Sequence, residues 1–154
     1  MKILEQADAL TIIGIELRTS NAEAMHTIPP FWQRFQQSDT LSQLPHRISA
    51  DLYAVYTHFA HAGRDNGGLY SMVIGAAVPP KAEVPPGLVR VVAPAGRRAV
   101  FEVETGRFDK VGETWTTIWQ HTYLPKSYIA DYERYQADGA IDISVGLHPA
   151  CTNA

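Results

Sequence analysis

Several features are scarce in this 154-residue sequence, and each scarcity excludes a class of protein. The single cysteine, Cys151, has no partner for an internal disulfide, so the fold does not depend on one. No apolar run approaches the length of about 18 residues that a membrane-spanning helix needs. Lys and Arg number 13 against 16 Asp and Glu, and the resulting formal net charge of −3 argues against a bulk nucleic-acid binder, which needs a basic face.

The N-terminal ten residues also lack the apolar core of a secretory signal, because charges interrupt their apolar positions. We therefore expect a cytoplasmic protein without membrane contact. The composition is ordinary for a globular chain, with 45% hydrophobic and 19% charged residues. The length suits one hydrophobic core and is short for two, so we predict a single domain over residues 1–154.

The first half predicts a strand, a helix and a hairpin. The isoleucine-rich run Leu10–Leu17 is typical of a buried strand. A helix is expected from about Glu23 to Gln37, and its regular part should begin near Pro30, since proline is tolerated in a first turn. Asp51–Phe59 and Leu69–Val78 read as strands that the turn formers between them join as a hairpin.

The proline-rich segment Pro79–Gly87 is predicted to be a linker without regular structure. After it, Leu88–Val92 is expected as a strand, Ala93–Gly96 as a turn, and Arg98–Thr105 as a strand that runs back. Asp109 is the expected N-cap of a second helix, and Leu124-Pro125 is its expected end.

Two alternating strands close the chain, Tyr132–Tyr135 and Ile141–Leu147, so that both halves read as strand, helix, strand, turn, strand. We set repeat 1 at about residues 10–78 and repeat 2 at about 88–147. On this alignment Tyr56 corresponds to Tyr135, Gly75 to Gly146, and Glu133 stands opposite Ala54. Because a repeat unit of this kind buries its sheet face against its copy, the seam between the copies is a natural concave site.

Glu133 breaks this symmetry, since a charge is present in only one copy. Strand alternation places it on the face of Tyr135, while Tyr132 and Arg134 take the other face. One interpretation is a solvated or structurally paired carboxylate. The other is an acid partly buried among aromatic rings, which a cationic guest would neutralise.

Aromatic residues accompany this acid and are candidates to stack on a flat or quaternary ligand, each cation–π contact contributing about 0.5–2 kcal/mol. Trp115 and Trp119 are four residues apart and share a helix face. Met72 fits a soft pocket wall or a core position. Each aromatic is equally open to a plain core role. The candidate ligand-binding set is Glu133, Trp115, Trp119, Tyr56, Tyr70, Tyr135 and Met72.

Other motifs give weaker signals. His58, His61 and Asp65 lack an evident fourth ligand, so we expect neither a metal site nor a cofactor. No G-x-S-x-G motif is present, which argues against a serine hydrolase. The arginine pair Arg97-Arg98 is expected at a solvated strand edge that discourages pairing.

The order and spacing of several short elements resemble the GyrI-like (gyrase-inhibitor-like) effector-binding domain over about residues 10–147. These elements are Tyr53–Tyr56, Asp65-x-x-Gly68-x-Tyr70, Val73-Ile74-Gly75, Pro94-Ala95-Gly96 with Ala99-Val100-Phe101, Tyr123-Leu124-Pro125 with Ser127-Tyr128, and Tyr132-Glu133-x-Tyr135. The resemblance implies an α+β fold of two strand-helix-strand-strand units about a pseudo-two-fold axis, with a curved antiparallel sheet and two main helices.

It also implies a pocket for amphipathic, often cationic aromatic compounds, with the acid of the Glu133-x-Tyr135 element as a key polar contact. Tyr123 stands where a tryptophan is more usual in the family, so the pocket shape is expected to differ. The few residues before Leu10 are too short for a helix-turn-helix, so we do not expect a transcription factor.

Three functions remain open at this point. The first is a stand-alone binding module that is not an enzyme. The second is a protein-binding inhibitor of the gyrase-inhibitor type, with a regulator, gyrase or a second copy of the chain as partner. The third is a hydrolase of reactive electrophiles that uses Glu133 with Tyr56 or Tyr135.

Overall fold

The computed structural model describes residues 1–149, and Cys151 lies outside the described residues. These residues form eight strands and two α-helices. The strands are β1 (Lys2–Gln6), β2 (Leu10–Ser20), β3 (Leu52–Thr57), β4 (Leu69–Ala77), β5 (Val89–Ala93), β6 (Gly96–Val103), β7 (Ala130–Tyr135) and β8 (Ile141–Gly146), and the helices are α1 (Ala24–Gln37) and α2 (Val111–Gln120). Residues 79–87 contain no helix or strand, as predicted.

All eight strands belong to one curved antiparallel sheet in the order β1-β6-β8-β7-β3-β4-β2-β5. The predicted α+β class, with a curved antiparallel sheet and two main helices, is confirmed. Counted inward from the two edges, the order matches β1 with β5, β6 with β2, β8 with β4 and β7 with β3. Each strand of one half therefore has its counterpart at the same distance from the other edge. The centre of this arrangement is the β7–β3 pair.

The two halves exchange their first strands. β1 pairs with β6 of the second half, and β5 pairs with β2 of the first half. The prediction that the chain runs straight back across residues 93–96 is therefore wrong, because β5 does not pair with β6: β5 is one edge strand, and β6 lies between β8 and the other edge strand, β1. The β1 strand was not predicted at all. Four of its five residues are exposed, so its sequence carries no alternation between a buried and a solvated side.

The central register places Ala54 directly opposite Glu133. It also corrects the internal alignment. Tyr56 pairs with Met72 and Tyr135 pairs with Ile141, so if the two tyrosines correspond, the counterpart of Gly75 is Ser144 rather than Gly146. The match of Gly75 to Gly146 rests on residue identity alone, and the sequence does not give the cross-strand register that decides the counterpart.

Helix α1 runs from Ala24 to Gln37, which confirms the predicted limits of about Glu23 and Gln37. The expectation that its regular part begins near Pro30 is wrong, because the helix is already regular from Ala24 and contains both prolines in its interior. The turn before them is closed by its own hydrogen bonds, since the amides of His26 and Thr27 both donate to the Glu23 carbonyl. The Thr27 hydroxyl adds a contact to Thr19 of β2 at 2.7 Å. This turn therefore forms without help from residues 29 and 30, and the buried Phe31 and Phe35 hold the following turns to the sheet.

The predicted limits of α2 are also wrong. Asp109 lies in a short 3-10 turn and pairs with Arg107 through two hydrogen bonds of 2.9 and 2.8 Å, so it does not cap the helix. The helix ends at Gln120, where the amide of His121 donates to the Ile118 carbonyl. The chain therefore leaves the helical path four residues before Leu124.

Apolar side chains cover both faces of the sheet. The face that carries the helices packs sixteen buried residues around Ala54, Met72 and Ile118. On the opposite face, the curvature brings the edge strand β5 into contact with β3 and β7. Neither helix in residues 1–149 has both the length and the apolar character needed to cross a membrane.

The expectation of a solvated Arg98 is wrong. Its side chain is 2% exposed, its guanidinium lies 5.0 Å from the Tyr132 ring centre, and it donates to the carbonyls of Ala130 and Pro94 at 3.0 and 3.2 Å. The cation–π contact and the carbonyl acceptors compensate part of the lost hydration of this guanidinium, whose Nε has no hydrogen-bond partner within residues 1–149.

Candidate functional site

A cleft of about 1030 Å³ opens on the helix-bearing face of the sheet. Side chains from α1, α2 and the central strands β3, β4 and β7 line it. The lining is mainly apolar, and its aromatic and large apolar side chains include Met25, Ile28, Trp32, Tyr56, Phe59, Tyr70, Phe108, Trp115, Trp119, Tyr128 and Tyr135. A concave apolar site with few polar groups is the usual form of a small-molecule site.

Helical periodicity builds one wall of the cleft. Gly112, Trp115, Thr116 and Trp119 recur at spacings of three and four residues along α2, so they share the face that lines the cleft. Ile118 also borders the cleft, but it is fully buried and packs into the core beneath it. The helix therefore anchors itself to the core through Ile118 and supplies two indole rings to the cleft wall.

Glu133 lies at the floor of the cleft and accepts three hydrogen bonds. Its Oε2 accepts one from the Tyr56 hydroxyl and one from the Trp115 indole N–H, both at 2.7 Å. Its Oε1 accepts one from the Tyr135 hydroxyl at 2.5 Å. The donors come from β3, α2 and β7, so the carboxylate joins the two sheet halves to the second helix.

The surroundings of Glu133 contain hydroxyls and an indole but no charge partner. The residue is only 2% exposed, and within residues 1–149 no Lys, Arg or His side chain forms an ion pair with it. A buried carboxylate is normally paired or coordinates a cation, because its desolvation is otherwise poorly compensated. Within residues 1–149, the hydrogen bonds from three neutral donors are therefore what compensates the burial of this carboxylate.

Burial raises the pKa of the Glu133 carboxyl above its usual value, while the hydrogen bonds from Tyr135, Tyr56 and Trp115 oppose that rise. The pKa values of the tyrosine hydroxyls around the carboxyl are also raised. Burial, reinforced by the nearby Glu133, raises the pKa of Tyr56 and of Tyr135 well above the ordinary phenol value, and it raises the pKa of Tyr70 to about 12. All three phenols therefore stay neutral donors throughout the physiological range.

The aromatic rings of the cleft touch one another edge to face. Tyr56 packs against Trp115 at 5.4 Å between ring centres with planes 76° apart, and against Tyr70 at 5.8 Å and 64°. Phe108 instead stacks flat on Tyr135 at 5.6 Å and 15°, although 64% of its surface is exposed. Edge-to-face packing fixes the rings of the floor, whereas Phe108 presents an open ring face at the rim.

Six of the seven predicted site residues line this cleft together: Tyr56, Tyr70, Trp115, Trp119, Glu133 and Tyr135. Met72 does not. It is fully buried in the core, directly opposite Tyr56 on the neighbouring strand. Of the two roles that the sequence allowed, a pocket wall or a core position, Met72 has the core position, so it supports the floor and does not reach the cleft.

Sequence reasoning missed several lining residues. Trp32 of α1 packs edge to face on Tyr135 at 5.3 Å, and Phe59 and Tyr128 contact each other at 6.2 Å. Asp131 also lines the cleft, and its signal was present in the sequence, because it precedes Glu133 by two residues on the same alternating strand.

The histidine cluster has a local role. The His61 Nδ1 lies 2.5 Å from an Asp65 carboxylate oxygen, which also accepts the Gly67 amide at 2.8 Å and so closes the turn. In the described part of the chain no group of three or more His, Cys, Asp or Glu side chains is placed to hold a metal ion.

The fold is that of an effector-binding domain, in which a curved sheet and two helices enclose an apolar cleft. The chain belongs to the Cass2 family of integron-associated effector binding proteins, whose pattern it matches over residues 3–146. This membership agrees with the resemblance to GyrI-like effector-binding domains. A comparison with curated proteins gave no match.

Solved structures share this fold at low sequence identity. An integron cassette protein from the mobile metagenome of Vibrio cholerae superposes with a TM-score of 0.75 at 20% identity, covering 96% of this chain and 95% of that chain. SAV2435 bound to tetraphenylphosphonium gives 0.73 at 17% identity, with coverages of 94% and 91%. A putative transcription regulation protein from Staphylococcus aureus MU50 gives 0.66 at 17%, with coverages of 94% and 95%.

Proposed function

We propose that this protein binds amphipathic, cationic aromatic small molecules in the cleft, with Glu133 as the charge partner of the ligand. The observation that carries the proposal is Glu133 itself. It is 2% exposed, it is held by three neutral donors, and it has no basic partner within residues 1–149. A cation that enters the cleft meets an oriented carboxylate in a medium of low polarity, where charge interactions are strong.

The rings around Glu133 support the same ligand class. Tyr56, Trp115 and Trp119 offer π-surfaces beside the carboxylate, and a cation over an aromatic face gains about 0.5–2 kcal/mol per contact. The large apolar lining favours a ligand with several rings over a small polar cation. Membership in an effector-binding family and the tetraphenylphosphonium complex of a protein of the same fold agree with this proposal.

We propose binding rather than hydrolysis. Both oxygens of Glu133 already accept hydrogen bonds, two at Oε2 and one at Oε1. Three of its about four acceptor positions are therefore taken, and Glu133 is only 2% exposed, which leaves little access for the water that a general base must activate. These contacts favour a role for the carboxylate as a fixed charge over a role as a proton acceptor.

Titration of the intrinsic tryptophan fluorescence with tetraphenylphosphonium tests the proposal, because Trp115 and Trp119 line the cleft. We expect saturable quenching together with a rise in melting temperature, since a ligand that binds only the folded state stabilises it. Absence of both responses across a panel of aromatic cations would refute the proposal. Mass spectrometry of each ligand after incubation separates binding from turnover, and recovery of intact ligand is the expected result.

A further inference from the structure

A second buried carboxylate lies in the same cleft. Asp131 is 5% exposed, lines the cleft, and precedes Glu133 on β7 by two residues. Alternate residues of a strand share a face, and two residues advance the chain by about 7 Å. The cleft floor therefore carries two acids separated by about that distance.

The carboxylate of Asp131 has one oxygen in use and one free. Its Oδ1 accepts a hydrogen bond from the Gly146 amide at 2.8 Å, which fixes the orientation of the side chain. Its Oδ2 has no hydrogen-bond partner within residues 1–149, and it is not among the fully enclosed polar atoms that lack a partner. This oxygen is therefore accessible from the cleft. No donor within residues 1–149 occupies it, in contrast to both oxygens of Glu133, so it can accept a hydrogen bond from a ligand.

The cations near Asp131 do not neutralise it. Arg98 on β6 and Lys126 in the loop before β7 both favour its ionised form, and the Tyr128 hydroxyl is the other titratable neighbour. Neither cation forms an ion pair with it in the described chain, since Arg98 donates to backbone carbonyls and Lys126 donates to the His121 carbonyl. Burial still outweighs both charges and raises the pKa of Asp131 to about 6.

From this arrangement we infer that Asp131 forms a second acidic subsite, and that the cleft selects aromatic cations that carry a second protonated amine about 7 Å from the first charge. The inference rests on the proposed function and specifies its ligand class. The first charge of the ligand lies against Glu133 among the rings. The ammonium N–H at the end of the tether donates to Asp131 Oδ2.

Two acridine dyes with the same ring system test this inference. 9-Amino-6-chloro-2-methoxyacridine carries the ring cation alone, whereas quinacrine adds an alkyl tether that ends in a tertiary ammonium. At neutral pH we expect quinacrine to bind the wild-type protein about tenfold more tightly than the ring alone, as a charge-assisted hydrogen bond provides. The exchange Asp131→Asn keeps an acceptor for Gly146 and removes the charge, so it should abolish this advantage and leave the affinity for the ring within about twofold.

Matched variants separate the possible outcomes. Glu133→Gln should weaken both dyes, whereas Asp142→Asn on β8 should change neither, because Asp142 lies across from Arg134 and does not line the cleft. An undiminished preference for quinacrine in Asp131→Asn overturns the subsite, as does equal binding of the two dyes by the wild type. Binding of neither dye overturns the proposed function and, with it, the subsite.

A second variant keeps the inference testable if Asp131→Asn disturbs folding. Lys126 lines the cleft and is a cation that already favours the ionised form of Asp131. Lys126→Met removes that competing charge. The pKa of Asp131 then rises further, but an ammonium at the subsite keeps the carboxylate ionised, so the preference for quinacrine over the ring-only dye should increase by about threefold or more. A reduced or unchanged preference contradicts the subsite. Near-ultraviolet circular dichroism checks that each variant retains its packed aromatic core.

Discussion

The Trp115 indole donates a hydrogen bond of 2.7 Å to Glu133 Oε2, and this contact ties helix α2 to the central strand of the sheet. Two phenols complete the set of donors. The three donors therefore hold the Glu133 carboxylate in one orientation, and under the proposed function such preorganisation reduces the entropy lost on binding.

Trp115→Phe removes this hydrogen bond and keeps most of the ring. We expect the free energy of unfolding to fall by about 1–3 kcal/mol, the usual effect of removing one partner of a buried polar group. Chemical denaturation measures it. Trp119→Phe is the matched control, because Trp119 is 44% exposed and makes no hydrogen bond to Glu133, and its loss should be about 1 kcal/mol or less. Equal losses would contradict the assigned role of the indole.

Tyr56→Phe should shift the pH dependence of cation binding upward. The Tyr56 hydroxyl donates to Glu133 and lowers the pKa of that carboxyl, so its removal lets burial raise the pKa further. Tetraphenylphosphonium keeps its charge at every pH, so the pH at which its binding begins reports ionisation within the protein. Tyr70→Phe, whose hydroxyl donates to Asn21 at 3.0 Å, is the control and should leave that pH unchanged. A downward shift in Tyr56→Phe would refute the prediction.

Asp131 should make the protein less stable as the pH rises. Its pKa is about 6 in the folded protein against 3.8 for an unperturbed group, so the folded state binds more protons between these values. The contribution of this group is fully present below about pH 4 and is lost as the pH rises through about 6, by on the order of 3 kcal/mol. Urea unfolding at a series of pH values measures it, and Asp131→Asn should flatten the slope in that window. An unchanged slope in the variant would disprove the burial effect.

Replacement of Gly75 by alanine should destabilise the fold, whereas replacement of Gly112 should not. A Cβ on Gly75 would lie 2.0 Å from the Ile13 carbonyl oxygen, and Gly14 opposite makes the same close approach to Ile74. Gly75→Ala therefore separates β2 from β4 and should remove several kcal/mol of stability or prevent folding. Gly112 in α2 has open space around it, so Gly112→Ala should stabilise the protein by about 0.5–1 kcal/mol. Thermal unfolding compares the two, and similar effects would count against the close strand contact.

Local patterns predicted the part of the site that depends on local geometry. Strand alternation placed Glu133 and Tyr135 on one face, and helical spacing paired Trp115 with Trp119; the structure has both arrangements. These relationships hold within a single element, so periodicity alone determines them.

Relationships between distant segments could not be predicted in this way. β1 and β5 each pair with a strand of the other half, and no local sequence pattern indicates these pairings. β1 is also exposed at the sheet edge, so its residues show no alternation. The core position of Met72 and the burial of Arg98 depend equally on which neighbours cover them. Such coverage follows from tertiary packing, which overrides the preference of a single residue.

The central claim is that Glu133 recognises the positive charge of the ligand, and one comparison of affinities tests it most directly. The dissociation constants of tetraphenylphosphonium and of the neutral triphenylphosphine oxide are measured by calorimetry for the wild type, Glu133→Gln and Glu16→Gln, an exposed control on β2. We expect Glu133→Gln to weaken the cation by about tenfold or more and the neutral compound by less than about twofold, with no change in the control. Equal weakening of both compounds, or undiminished cation binding, would contradict the account.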